Sequence, residues 1–199
     1  MARTVQWVET RLQTRLRATS LTISPASLYD VMDKVQKTLN HALVRKVTTG
    51  TLTLSTASAQ SFYYTSAAIG TDCIRPLAVY LSSRTVMETP GWGQIQQYDR
   101  NWFNATGTRL ETWSPVGHNM IAVYPSVVTA DATTYTCVYL QDTTTLNSTA
   151  DTFNLADDDI DLVLDLCEIV WLSNLRLYPE VKAKVEKFQR TIAPYVGGQ

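Results

Sequence analysis

The chain has 199 residues, 45% of them apolar and 18% charged, with a formal net charge of −1. Length and apolar content suit one ordinary domain, or a small domain carrying an insertion, with enough side chains to bury a core. The near-neutral total argues against nucleic-acid binding as the main task. No apolar run reaches the ~18 residues of a membrane span, and Arg11, Arg15 and Arg17 arrive too early for a signal-peptide apolar region.

The charge is unevenly placed. Residues 1–50 carry eight basic and three acidic side chains, whereas residues 111–161 carry eight acidic side chains and no Lys or Arg. Such polarity suits a solvated surface, or the two faces of a head-to-tail assembly in which one subunit's basic end meets its neighbour's acidic end. Cys73, Cys137 and Cys167 are widely spaced and lie among apolar neighbours, so they read as buried thiols rather than zinc ligands or a redox pair. A cytosolic site of synthesis fits that usage.

In chain order, Val5, Val8, Leu12 and Leu16 recur at spacings of three and four and predict an amphipathic helix over 3–19, with Arg11 and Arg15 on another face. Ser24 is a good N-cap and Pro25 suits a first helical position. Leu28, Val31, Met32, Val35, Leu39, Leu43 and Val44 then mark a second helix. From Lys46 the period changes to two. Strands are expected at 47–54 (interrupted at Gly50), 61–64, 74–81 and 84–88, with Pro76 confining the start of the third to an edge. Residues 95–103 read as a short helix or turn that packs Tyr98, Trp102 and Phe103, and a strand follows at 110–113. The stretch from Trp113 to Leu140 reads as three consecutive antiparallel strands, with turns at 116–119 and 129–132.

Residues 142–151 form a polar connection. Asp157, Asp158 and Asp159 then stand at a helix start, where the dipole favours negative charge. Ile160, Val163, Leu164, Cys167, Val170 and Trp171 continue that helix. Tyr178-Pro179 opens a last one with Val181, Val185 and Phe188 on its apolar side.

The fold class expected is therefore α+β. Helices at 1–45 and 155–193 frame an inserted antiparallel β module at 46–154, a small sandwich or barrel, and 194–199 form a flexible tail.

Chemistry-bearing patterns are missing. The sequence has no Gly-x-Ser-x-Gly, no phosphate loop and no His-Glu-x-x-His, and its only histidines are His41 and His118. The run Asp157-Asp158-Asp159 with Asp161 lacks calcium-loop spacing and reads as helix-end charge rather than a metal site. Trp92, Trp102 and Trp113 read as core area rather than a stacking platform. No enzyme, cofactor or metal is expected.

The order of elements, together with Ser24 to Leu43 as the second helix, Gln97 to Phe103, Trp113, Ile121-Ala122-Val123-Tyr124-Pro125, the strand from Thr133 to Leu140 and the acidic-start helix from Asn154 to Leu175, resembles the head–tail adaptor (connector) proteins of tailed bacteriophages, especially the short-tailed type. One departure is that Asn154-Leu155-Ala156-Asp157 stands where many members write Leu-Pro. The resemblance implies a virion protein made in the host cytoplasm and placed at the head–tail interface. It would form a homo-oligomeric ring of about twelve subunits that docks the portal protein and a tail nozzle or tail tube protein and encloses packaged DNA, without a membrane partner. It further implies Pro194, Tyr195, Val196, Gly197, Gly198 and Gln199 as a portal-binding segment. Arg11, Arg15, Arg17, Asp157, Asp158 and Asp159 become candidates for the channel wall or the subunit interface. The alternative is a tail or baseplate protein whose β module binds host glycans, for which exposed Trp or Tyr rows would be the mark.

Overall fold

The computed structural model describes residues 3–16, 25–55, 60–81, 84–117, 119–128 and 134–196. The expected N-cap Ser24, and part or all of the turns at 57–60, 82–83, 116–119 and 129–132, lie outside them. In chain order the helices are α1 (Val5–Leu16), α2 (Pro25–Leu43), α3 (Thr65–Ala68), α4 (Trp92–Tyr98), α5 (Ile160–Asn174) and α6 (Tyr178–Val196). The strands are β1 (Val47–Thr53), β2 (Phe62–Tyr64), β3 (Cys73–Leu81), β4 (Arg84–Glu88), β5 (Thr106–Gly107), β6 (Thr112–Val116), β7 (Met120–Tyr124), β8 (Ser126–Val127) and β9 (Thr134–Gln141). The fold is α+β, and the chain divides into two compact units, Met1–Lys46 with Thr143–Gln199, and Val47–Asp142. Among the described residues no helix is long and apolar enough to cross a membrane.

The first unit is helical, and its core follows the predicted stripes. Val5, Val8 and Leu12 of α1 meet Leu28, Met32, Val35, Leu39 and Leu43 of α2 and Ile160, Val163, Leu164, Cys167 and Trp171 of α5. Helix α2 stops where Val44 takes a positive φ of 50°, a conformation that a β-branched residue rarely adopts. The Asn40 side chain then accepts the Lys46 amide at 2.8 Å and fixes the exit.

Residues 143–154, expected in the β module, belong instead to this helical unit. Leu146, Phe153 and Leu155 drop into the helical core. The fully buried Gln36 donates to the Thr144 carbonyl and accepts from the Asn154 amide, and Asp33 accepts the Leu146 amide. The Val5 and Gln6 amides donate to the Asp151 and Thr149 carbonyls. Isolated apolar residues in a polar stretch gave little periodic signal, yet each satisfies part of the helical core. The expected tail at 194–199 is also corrected at its start, because α6 runs on through Pro194 and Tyr195 to Val196. The Arg45 guanidinium lies 5.5 Å from the Tyr195 ring centre and anchors that last turn.

The second unit carries a curled seven-stranded sheet in the order β1-β9-β3-β4-β6-β7-β2, antiparallel except for β4 with β6, and a small parallel pair, β5-β8. The meander expected across 113–140 is only partly present. β6 and β7 pair as foreseen, but β9 leaves them and inserts between β1 and β3. Its alternating Tyr135, Cys137 and Tyr139 are buried with Leu52, Val79, Trp113 and Val123. The Tyr135 hydroxyl accepts the Leu110 amide at 2.7 Å.

Two further expectations change. β1 continues unbroken through Gly50, the point where a Cβ would stand 2.9 Å from the Tyr139 ring. β3 is an interior strand despite Pro76, which sits at a register shift where a missing N–H removes little from the ladder.

Candidate functional site: charged and aromatic surfaces of the two units

In the helical unit, α5 carries Asp161, Asp165 and Glu168 at spacings that share one face, and α1 brings Arg15 across to them. The Arg15 guanidinium lies 3.3 Å from Asp161, 2.5 Å from Asp165 and 3.9 Å from Glu168. Lys184 of α6 closes on the other side of Glu168 at 2.9 Å. The carboxylates of Asp165 and Glu168 retain only 12% and 4% of their exposure, so these cations compensate buried charge. Arg15 was expected to face a neighbouring subunit or DNA. Within its own chain it is paired with the acids of α5, which without it would keep Lys184, on Glu168, as their cation among the described residues. Of these acids only Asp161 is noted from the sequence; Asp165 and Glu168 are not, although the spacing of the three on one face of α5 is readable there.

Asp159 is likewise internal. It is 2% exposed and takes Arg45 at 3.0 Å through one oxygen, while its other carboxylate oxygen lacks a hydrogen-bond partner. Asp157 and Asp158 are exposed. The acidic run therefore divides between core and surface, and its carboxylates do not converge on one point. Arg17, Gly197, Gly198 and Gln199 lie outside the described residues, as does the side chain of Val196.

Arg11 remains a surface residue. Arg3, Trp7 and Arg11 follow one another at four-residue steps, and the two guanidinium groups lie 4.6 and 5.2 Å from the Trp7 ring centre. Beside them a cavity of about 370 Å³ is lined by Arg3, Trp7, Arg11, Arg15, Asp157 and Asp161, among others. This pocket brings together three of the candidate residues, Arg11, Arg15 and Asp157, of both signs.

In the β unit the tryptophans divide. Trp113 is fully buried and Trp102 is 4% exposed, but Trp92 keeps 46% of its surface in solvent, against the expectation of core. Phe62, Trp102 and Phe103 form an aromatic knot with ring centres 4.8–5.6 Å apart. Trp92 leans on Trp102 at 6.4 Å. Beyond it Tyr98, 80% exposed, meets Tyr124 edge-on at 6.1 Å. No protein-family model matches the chain, and no curated protein matches it.

Burial explains the acid–base behaviour of the thiols. Cys167 and Cys137 are pushed up to about 12, and Cys73, with Asp72 as a second cause, to about 11. At neutral pH all three are protonated, hence poor nucleophiles and poor metal ligands.

Proposed function

We propose that this chain is a virion structural protein, a head-to-tail adaptor that forms a ring under the portal, continues the DNA channel, docks tail components and helps retain the genome. The reading rests on the resemblance of element order and on one observation. Large apolar side chains are left in solvent on both units: Leu175, Leu177, Tyr178 and Tyr195 on the helical one, and Tyr64, Met87, Trp92, Tyr98 and Phe103 on the β one. Surface of this kind suits a subunit that completes its burial by assembly. Buried carboxylates, by contrast, are compensated inside the chain, so inter-subunit contact falls to apolar side chains and to outer charges such as Arg11, Asp157 and Asp158. The portal-facing candidate is the segment from Pro194 to Gln199, in which Tyr195 is exposed near the end of α6.

Native mass spectrometry of the chain, alone and mixed with a portal ring, tests this. Subunits that assemble on the portal are the expected result. A stable ring of another symmetry without portal affinity would move the assignment to a tail component, and a monomer indifferent to the portal would remove the adaptor reading. A second reading, a tail or baseplate protein with a host-binding β module, is favoured by the exposed Trp92, Tyr98 and Phe103. Retention of host-type glycans on an array separates the two.

A further inference from the structure

The β unit carries a groove that its fold leaves unexplained. A cavity of about 440 Å³ opens between α4 and the strands β4, β6 and β7, with the buried Ile95 among its lining residues. Tyr98 and Tyr124 form its aromatic side, Met87 an apolar rim, and Gln94, Gln97 and Glu111 its main polar groups. A second cavity of about 460 Å³, reaching Thr106, Thr108 and Arg109, shares Glu111 and Tyr124 with the first, so the two form adjoining compartments of one groove. Each falls within the roughly 300–1,000 Å³ usual for small-ligand sites.

Three features select the ligand. Tyr98 and Met87, 80% and 65% exposed, offer apolar area that an isolated domain gains nothing by presenting. Tyr124 is held in place, its hydroxyl donating to Asp99 at 3.2 Å and its ring set edge-on to Tyr98, so the aromatic side is preformed. Besides Thr89 and Thr112, whose hydroxyls donate to the Trp113 and Met87 carbonyls, the polar complement is two amides and one carboxylate, which can donate to and accept from neighbouring hydroxyls. Among the described residues Glu111 is the only charged one lining the first compartment, and it disfavours an anionic ligand there. A phosphate backbone or a sialylated glycan would meet it unpaired. A molecule with a flat apolar face and an edge of hydroxyls fits both sides.

We infer that this groove is a binding site for a neutral saccharide, with one sugar ring stacked on Tyr98 and adjacent hydroxyls shared by Glu111, Gln94 and Gln97. The second compartment, with Arg109 and two threonines, takes the next sugar of a chain. This rests on the second reading above, that the β module meets the host, and locates the contact within it.

The test uses the full chain against immobilised neutral hexose oligomers (gluco-, manno- and galacto-configured), with sialyllactose as the anionic probe. Expected is retention of at least one neutral oligomer, weakened tenfold or more by Tyr98→Ala and by Glu111→Gln. Val47→Ser, exposed on β1 and outside the groove, leaves it unchanged. Saturation transfer from bound sugar to tyrosine ring protons gives a readout that does not depend on the variants, and an unchanged unfolding midpoint shows that they fold. Neutral-oligomer binding that ignores Tyr98→Ala and Glu111→Gln would overturn this site and leave the host-binding reading standing. Failure of every saccharide would overturn both, and a preference for sialyllactose would overturn the neutral assignment.

Discussion

Arg15 draws together three carboxylates of α5 from 146 or more positions away in sequence. Removing it leaves Asp165 and Glu168 buried with Lys184 as their nearest remaining cation. Breaking a buried pair costs about 3–5 kcal/mol, and the partial exposure of Arg15 with the surviving Lys184 contact places Arg15→Ala near the lower end. Urea titration measures this. Arg15→Lys is expected to recover only part of the loss, because Asp161 and Asp165 are met by different nitrogens of the guanidinium. Asp151 shows the opposite situation, an exposed carboxylate tuned by local hydrogen bonds. The Asn147 amide, the Ser148 hydroxyl and the Ser148 amide all donate to it, which lowers its pKa. A depressed folded-state value contributes stability above the unfolded value of about 3.9, and loses it as pH falls through the folded one. The unfolding midpoint of wild type should exceed that of Asp151→Asn at pH 6, and the difference should shrink below about pH 4.

At the scale of elements, β1 and β9 pair along seven residues, and Gly50 is the point where the backbone passes the Tyr139 ring. Tyr139 is 6% exposed and its hydroxyl donates to Asp72 at 3.2 Å, so the ring has little room to yield. Gly50→Ala is expected to cost about 1–3 kcal/mol, as overpacking does. Adding Tyr139→Leu should recover part of that loss, seen as a shift of the denaturation midpoint back toward wild type. Legibility at this scale was uneven for a physical reason. The stripe of α1 was readable because helical period is a local property. The neighbours of β9 were not, since a period of two marks a half-buried strand without naming what lies beside it.

Across the whole molecule, the division into two units, each with its own apolar cluster, leads to a prediction about cooperativity. Calorimetry should resolve two transitions, with Arg15→Ala lowering one and Gly50→Ala the other. The thiols report which is which. Cys167 belongs to the helical cluster and Cys137 to the β cluster, and burial keeps both protonated. Labelling of Cys167 by a thiol reagent should track the transition that Arg15→Ala lowers, and labelling of Cys137 the other. A single transition with both thiols released together would show that the units unfold as one.

The class of the fold, the helical ends around a β-rich middle and most of the buried stripe residues are legible in the sequence, because hydrophobic period and turn chemistry act over a few residues. The sequence also marked Arg11, Arg15 and the acidic run as notable, but not their partners. Tertiary structure alone decided that Arg15 and Asp159 serve the interior, that 143–154 packs with the helices, and that Tyr98, Tyr124 and Glu111 meet around one groove. Each of those outcomes depends on contacts between residues far apart in the chain, and charge, pairing and cavity shape are properties of neighbours in space rather than of local order.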